Sequence, residues 1–553
     1  MPPRVRSRSI SDRTSDITIV GAGMAGLAAA LRALEAGRSV TLIEGSPLIG
    51  GKFGAVYANG SFHEIAYHFF ADWCLNFWEL VGEIGLDRQR DFAELQTVTF
   101  LEPGGRRSAL HVVAGAPRFW ADVHSGVLSW RDMFVYLYSV LDLLADEGIR
   151  DDGEFLNRVS VNGYMRAKGY MTDPAALLHN ETLFKVFAVP SFETSARAYR
   201  RLLQLMSYGS PSFRVLRGNC YPFLLAPLQA RLEAHGRAFQ LRLNTALESI
   251  ELDARSGLVR NIAILTPTGR DVLPVRRLIL AVPHQQVAGL LEQNADLRRL
   301  RPDLRNLRLL RAKQMASLDL VFKTRLSNIP EGHVTLLDWR RFRQLPGPGK
   351  NSISSDHALS FIDNSVVWNT PETRLNVVAS DFDSLAGVPA AEARLELFRT
   401  LQQYLDIDEA LVDWDRSLFL KNARRPLFVN TAGSWEYRPE VRPERGDPGG
   451  VANLFLAGDY CRSEIDMPSV EAAIVSGELA AWRATDGKAR RPLDTKLGGL
   501  TAADWSRLRA YLDPWLRLVG QNGSVPSSPP PMPQVGLGSA MSISAASATA
   551  RPA

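Results

Sequence analysis

The sequence predicts an α/β protein in which a dinucleotide-binding domain is interleaved with a second domain of mixed sheet and helices. A buried-strand pattern at Ile17–Val20 runs directly into the turn Gly21-Ala-Gly23-Met-Ala-Gly26 and then into an Ala/Leu-rich helix. This strand–turn–helix unit is typical of a Rossmann-type domain. Residues 110–240 then carry apolar and aromatic side chains at helical spacing, with few β-branched runs. The chain therefore leaves the nucleotide-binding domain for a mostly helical one.

Composition excludes several classes of protein. With 46% apolar and 22% charged residues, the chain resembles an ordinary globular protein, and a net charge of +5 over 553 residues does not indicate nucleic-acid binding. The three cysteines form no Cys-x-x-Cys pair and the nine histidines show no ligand spacing, so we expect no disulfide framework and no metal site. This cysteine usage favours a reducing, cytoplasmic location. No apolar run reaches 18 residues, so any membrane contact should be peripheral.

Each glycine of the turn has a separate predicted role. Gly21 permits the tight bend, Gly23 lets the backbone approach a pyrophosphate, and Gly26 allows the helix to pack closely on the strand. The helix N-terminus then offers N–H groups to the phosphates. Glu44 follows the second predicted strand, where its carboxylate can accept hydrogen bonds from ribose hydroxyls and disfavours a 2′-phosphate.

Two further segments identify the dinucleotide. Gly50-Gly51-Lys52 follows Glu44 closely, and a strand ending in Gly458-Asp459 precedes the helical run Met467 to Gly477. Together these segments resemble the flavin amine oxidase superfamily. The resemblance implies that FAD is the cofactor, that Asp459 contacts its ribityl-phosphate region, and that a helix starting near Pro468 points at the isoalloxazine. The predicted cofactor-binding residues are Gly21, Gly23, Met24, Ala25, Gly26, Glu44, Gly50, Gly51, Lys52, Gly458, Asp459, Met467, Ser469 and Val470.

One segment is informative about the branch of the superfamily. The run Glu64-Ile-Ala-Tyr-His68-Phe-Phe70 resembles the Glu-x-Gly-x-His-x-Phe-Phe segment of plant and cyanobacterial phytoene and zeta-carotene desaturases. Ala66 and Ala472 stand where that family has glycine, and Ala71 where it has phenylalanine. The resemblance implies desaturation of a long apolar isoprenoid by hydride transfer to the flavin, with a quinone or oxygen as electron acceptor.

Amine oxidases of the superfamily commonly carry a lysine near the flavin and an aromatic wall. In this chain, Ser317 falls at the position of the lysine and Ser469 at that of the aromatic residue, although Lys313 could supply a displaced lysine. We therefore expect His68, Ser317 and Ser469 near the flavin, without an assigned catalytic residue. Asp381 and Asp383 form an acidic pair better suited to a loop or a cap. The alternatives are an amine or amino-acid oxidase that produces hydrogen peroxide, a squalene-modifying flavoenzyme, and a flavin-bound scaffold without turnover.

These observations divide the chain into alternating parts of two domains. We expect a Rossmann-type FAD-binding domain and an interleaved substrate domain, with an apolar small molecule as partner and a possible peripheral contact with a membrane. The predicted parts are a disordered basic N-terminus (1–15), the FAD-binding domain (16–110, 241–285 and 451–485), a mostly helical substrate domain (111–240), a sheet-and-helix part of that domain (286–450), a helical appendage (486–520) and a disordered tail (521–553).

Overall fold

The computed structural model describes most of the chain. The predictions for the basic N-terminus as far as residue 13 and for the tail 521–553 lie outside the described residues. Residues 14–112, 118–145, 154–209, 212–341, 352–422, 425–441 and 450–520 are described.

The strands and helices alternate along the chain in the order expected of two interleaved domains. The strands are β1 (Ile17–Val20), β2 (Val40–Ile43), β3 (Ala55–Ala58), β4 (Ser61–Glu64), β5 (Phe92–Leu95), β6 (Thr97–Leu101), β7 (Arg107–His111), β8 (Phe213–Leu216), β9 (Phe239–Arg242), β10 (Ala246–Leu252), β11 (Val259–Thr266), β12 (Gly269–Pro274), β13 (Leu278–Leu280), β14 (Ala312–Lys313), β15 (Ala316–Val321), β16 (His333–Leu336), β17 (Leu359–Asp363), β18 (Arg374–Ala379), β19 (Leu418–Lys421), β20 (Leu427–Phe428) and β21 (Leu454–Leu456). The α-helices are α1 (Met24–Glu35), α2 (Leu75–Glu83), α3 (Phe119–His124), α4 (Trp130–Ala145), α5 (Glu154–Arg158), α6 (Val161–Ala167), α7 (Asp173–Phe187), α8 (Ala196–Met206), α9 (Ala226–Glu233), α10 (His284–Gln293), α11 (Ala295–Leu300), α12 (Asn364–Trp368), α13 (Ala390–Gln402), α14 (Ser434–Tyr437), α15 (Val470–Ala484) and α16 (Ala502–Gly520).

A five-stranded parallel sheet forms the nucleotide-binding domain, and the predicted α/β class is confirmed. Its strand order is β21-β13-β1-β2-β9. Every residue of β1, β2, β13 and β21 is buried, which explains their continuous apolar sequences. Because β1 lies between β2 and β13, the strand order reverses at β1. The crevice at the carboxyl end of β1 is therefore the expected place for a ligand.

The second domain contains a seven-stranded mixed sheet. Its order is β19-β15-β18-β17-β16-β6-β7. Strand β6 and all of β7 except its last residue lie within the predicted first FAD-binding part, 16–110, but both strands belong to this second sheet, so the predicted boundary comes too late. Strand β6 pairs in parallel with β16, with Val98 beside His333. The sequence of β6 cannot reveal a partner that is more than 200 residues away. Strand β9, by contrast, belongs to the nucleotide-binding sheet although it begins at Phe239, before the predicted boundary at 241.

Helices α4 and α7 share a buried apolar cluster with β6 of this second sheet, and the C-terminal helix, α16, packs along α4. Two polar contacts fix the pair: Arg509 Nη1 donates to Asp142 Oδ1 at 2.8 Å, and the Tyr138 hydroxyl donates to Asp513 Oδ1 at 2.5 Å. The predicted appendage is therefore attached to the helical domain.

Helices α1 and α15 pack so closely that a glycine is required between them. A Cβ on Gly477 would lie 2.1 Å from the carbonyl oxygen of Ala25. Two turns further along α1, the buried guanidinium of Arg32 donates to Oε1 of Glu478, the residue after Gly477, at 2.7 Å. These contacts join the helix of the N-terminal glycine motif to the helix of the C-terminal motif.

We predict that Gly477→Ala destabilises the protein. An added methyl group must displace backbone here, and overpacking of this kind costs about 1 to 3 kcal/mol in the free energy of unfolding. The matched control is Gly82→Ala in α2, where a Cβ meets no atom within 4 Å among the described residues. That control should be neutral or up to about 1 kcal/mol more stable, because alanine favours the helix. Chemical denaturation of both variants measures the difference. Equal stability of the two would contradict the close packing.

Candidate active site

The turn after β1 is built on backbone contacts that exclude side chains. Gly21 has a φ of +102°, in the region that favours glycine. A Cβ on Gly26 would lie 1.8 Å from the Gly21 carbonyl oxygen. The first turn of α1 therefore packs directly on the glycine turn. Gly23, Met24 and Ala25 at its N-terminus line a cavity, and the first N–H groups of a helix, which have no partner within the helix, suit an anion.

The second glycine pair contacts the first motif directly. Gly50 N–H donates to the Ala22 carbonyl oxygen at 2.7 Å. A Cβ on Gly51 would lie 2.8 Å from the Cα of Gly23, and the φ of Gly51 is +61°. Both segments therefore present bare backbone to the same part of the cavity. A pyrophosphate fits such a surface, because no side chain holds its oxygens away from the N–H groups.

Glu44 stands at the carboxyl end of β2 and already holds two loops. Its oxygens accept hydrogen bonds from Ala22 N–H and Ser46 N–H, each at 2.9 Å. A carboxylate has about four acceptor positions, so the capacity predicted for ribose hydroxyls remains. Glu44 also lines the cavity.

Arg425 is a site residue that the sequence does not reveal. Its Nη1 donates to the Gly51 carbonyl oxygen at 2.7 Å, and its Nη2 lies 3.8 Å from Glu44 Oε1. The guanidinium lines the cavity beside the glycine motifs and offers positive charge to a phosphate. It lies in an irregular segment without a motif, and only the long-range fold brings it here.

The C-terminal motif joins the site through an ion pair. Lys52 Nζ lies 2.5 Å from Asp459 Oδ2. Gly458, just before it, has a φ of +150°, and its N–H donates to Ser476 Oγ at 2.8 Å. The ion pair connects the Gly-Gly-Lys segment to the strand end predicted to meet the ribityl-phosphate region. Two motifs more than 400 residues apart are thereby brought together.

Helix α15 presents its N-terminus to the cavity. It begins at Val470, two residues after the predicted start near Pro468, because Ser469 is its N-cap and accepts a hydrogen bond from Ala472 N–H at 3.1 Å. Met467, Ser469 and Val470 all line the cavity. The positive end of a helix favours negative charge, as on the electron-rich ring of a reduced flavin.

One continuous cavity of about 2500 Å³ unites these segments. Every predicted cofactor-binding residue lines it except Gly26, which packs against the turn. Sites for single small ligands measure roughly 300 to 1000 Å³, so this cavity has room for a dinucleotide and a second large molecule. Further lining residues that the sequence did not single out are Thr245, Ala246, Leu247, Val282 and Pro283.

The candidate catalytic residues differ in their placement. His68 lines the cavity, its ring 4.6 Å from that of Phe53, and burial lowers the pKa of His68 to about 4, so the imidazole is neutral. Ser469 also lines the cavity. Ser317 does not: it is 1% exposed, and its Oγ has no hydrogen-bond partner among the described residues. Register places it beside Val378, which does reach the cavity surface.

The displaced lysine is not found at this site. Lys313 belongs to the separate strand β14, and not to the strand of Ser317 as predicted, because β14 pairs with β20 instead. Its ammonium contacts the carboxylate of Asp383. It is not among the described residues that line the cavity. Asp383 thus forms an ion pair, whereas the sequence predicts a loop or cap role for it.

Comparison with known proteins shows which family and which relatives the chain is similar to. The sequence model of the flavin containing amine oxidoreductases matches residues 24–485. The zeta-carotene desaturase of Synechocystis sp. is 24% identical over 501 residues, which cover 86% of this chain and 98% of that protein. The 15-cis-phytoene desaturase of Solanum lycopersicum is 23% identical over 487 residues, covering 84% and 77%.

Solved structures share the fold at lower identity. Putrescine oxidase bound to putrescine superposes with a TM-score of 0.57 at 17% identity, covering 85% of this chain and 98% of that one. Cyclohexylamine oxidase from Brevibacterium oxydans gives a TM-score of 0.58 at 15% identity, covering 86% and 99%. At such identities the likeness concerns the fold alone.

We predict that Glu44→Gln weakens FAD binding by about tenfold or more. The glutamine keeps the size but removes the charge, and a hydrogen bond to a charged group contributes about 1.5 to 3 kcal/mol, at about 1.4 kcal/mol per decade of affinity. Its NH₂ group would also oppose one of the two backbone N–H groups that Glu44 binds. Titration of apoprotein by flavin fluorescence measures the effect. Exposed Glu292 supplies the control, Glu292→Gln, which should bind FAD as the unaltered protein does. An unchanged dissociation constant for Glu44→Gln would mean that the ribose is bound elsewhere.

Proposed function

The chain belongs to the family of flavin-containing amine oxidoreductases and is an FAD-dependent oxidoreductase, and from this premise we propose that it desaturates a long apolar isoprenoid of the carotenoid type. Bound FAD supplies the acceptor of the hydride in such a reaction. The curated relatives with desaturase names support the proposal, because they align along more than four fifths of this chain.

The observation that carries the proposal is the apolar arm of the cavity. Phe134, Leu137, Leu141 and Leu144 line it from one face of α4. Their spacing of three and four residues forms a continuous apolar stripe on the helix. Each CH₂ group buried along such a stripe stabilises binding by about 0.8 kcal/mol. A long hydrocarbon chain would gain from every turn of α4, whereas a small amine would leave most of the arm empty.

The polar groups near the predicted flavin position also suit a dehydrogenation. Burial keeps the imidazole of His68 neutral, so this side chain places no charge beside an apolar substrate. Ser469 caps α15 and provides no aromatic wall. An apolar C–H bond demands position and exclusion of water more than acids and bases. The alternative, an amine or amino-acid oxidase, would require a lysine that Lys313 does not supply.

We further propose that α16 contacts a membrane surface near the mouth of the cavity. Leu508, Tyr511, Trp515 and Leu518 lie on one face of this helix and are 43 to 75% exposed. Leu508 and Tyr511 also line the cavity. A helix with exposed aromatic and apolar side chains beside arginines suits the interface of an anionic bilayer. In the described part of the chain, no helix is long and apolar enough to span a membrane.

Location and electron acceptor complete the proposal. Cys74, Cys220 and Cys461 are all free and buried, in keeping with the reducing, cytoplasmic location expected from the sequence. We propose a quinone or oxygen as the acceptor that reoxidises the flavin.

The test presents the oxidised protein, in anionic liposomes and without oxygen, with phytoene or zeta-carotene in one set of samples and with primary amines and amino acids in another. We expect an isoprenoid to bleach the flavin absorbance and the protein to sediment with the vesicles.

Leu141→Gln puts a polar group into the apolar arm, at a cost of about 1 to 3 kcal/mol, and should slow bleaching about tenfold. Leu309→Gln, the same change at a 47% exposed site outside the cavity lining, should not. Bleaching by an amine and by no isoprenoid would favour the oxidase instead.

A further inference from the structure

A group of polar side chains interrupts the apolar wall of the cavity. We call Tyr67, Lys185, His333 and Ser360 the polar corner; all four line the cavity. The Tyr67 hydroxyl lies 2.9 Å from His333 Nε2 and 2.6 Å from Ser360 Oγ. The Lys185 ammonium donates to the carbonyl of Ala358 and, at 3.2 Å, to that of Leu359, the residue before Ser360. The four side chains are therefore connected through the start of β17, at Ala358 to Ser360.

The polar corner retains hydrogen-bonding capacity that the protein does not use. An ammonium has three N–H donors, and Lys185 directs two of them to the carbonyls of Ala358 and Leu359. His333 is 6% exposed, and its buried Nδ1 has no partner among the described residues. Burial lowers the pKa of His333 to about 3, so the ring is neutral. If Tyr67 donates to Nε2, then Nδ1 carries the proton. Buried polar groups are normally paired, so a wholly apolar ligand would leave this wall unsatisfied.

The charges around Lys185 select against an anionic ligand. Burial lowers the pKa of Lys185 to about 8, although Glu181, one turn earlier on α7, and Asp381 both raise it. The ammonium is thus largely protonated at neutral pH but faces two carboxylates. Glu181 itself is held by the hydroxyls of Ser352 and Ser354. Because His333 is neutral and two carboxylates face the ammonium of Lys185, the polar corner has no net positive charge to bind a carboxylate or phosphate of the ligand.

We propose that the polar corner binds a neutral oxygen, a hydroxyl or a carbonyl, carried by the long apolar ligand of this cavity. This inference rests on the proposed function for the apolar part of that ligand and narrows its class to oxygenated isoprenoids. The oxygen accepts from the third N–H of Lys185, and a small shift of the His333 ring lets its buried Nδ1 pair with the same oxygen. Tyr67 and Ser360 act as positioning residues that hold the imidazole.

The test is a binding titration of the oxidised, FAD-loaded protein in detergent micelles, followed by the change in flavin absorbance on ligand binding. The probes are geranylgeraniol, the carboxylic acid of the same chain, and the corresponding hydrocarbon. We expect the alcohol to bind at least about tenfold tighter than the hydrocarbon, as one hydrogen bond to a charged donor allows. The acid should bind more weakly than the alcohol.

Two substitutions separate recognition from a structural role. Lys185→Met should reduce the preference for the alcohol to less than about threefold while hydrocarbon affinity stays the same, whereas the exposed control Lys323→Met should change neither. Tyr67→Phe keeps the ring and should lower the preference for the alcohol in part. Equal affinities for alcohol and hydrocarbon in the unaltered protein, tightest binding of the acid, or an equal loss for all probes in Lys185→Met would each overturn the proposal. The titration measures binding and needs no turnover. If isoprenoids fail to bleach the flavin, the proposed function fails, but the titration still tests whether the polar corner binds an oxygen.

Discussion

Close contact between backbones is the constraint on which the nucleotide site depends. The turn after β1 packs on α1 through Gly26, it meets the second glycine pair through Gly51, and α1 meets α15 through Gly477. At each contact a Cβ would lie within 3 Å of another segment's backbone or of the preceding turn. These contacts leave a cradle without side chains at the carboxyl end of β1, and they hold the N-termini of α1 and α15 at one cavity.

Charged groups around this site match the groups of the expected dinucleotide. The N-termini of two helices and the guanidinium of Arg425 supply positive potential, whereas Glu44 supplies acceptors at the end of β2. The ion pair of Lys52 with Asp459 joins the two halves without adding net charge. A dinucleotide carries both phosphates and ribose hydroxyls, which are the two kinds of group that these charges and acceptors can bind. Beyond the cradle, the same cavity becomes apolar along α4 and polar again at Lys185.

The sequence predicts well what the local backbone determines. The tight bend at Gly21 leaves a pattern within a few residues, so this feature could be recognised, whereas the cap at Ser469 was not, and the predicted helix start lies two residues too early. Features that depend on distant partners could not be recognised. Nothing near β6 indicates its pairing with β16, and nothing near Arg425 indicates its contact with Gly51. For the same reason, the polar corner, whose side chains come from four separate parts of the chain, has no motif.

The central claim is that glycine motifs at opposite ends of the chain hold one FAD between the N-termini of α1 and α15. A crystal structure of the purified yellow protein tests it most directly. The account predicts the pyrophosphate within hydrogen-bond distance of the backbone N–H groups at Gly23 to Ala25, the ribose at Glu44, and the isoalloxazine beside Ser469 and Val470. An isoalloxazine in the apolar arm along α4, or a pyrophosphate away from the glycine turn, would contradict it.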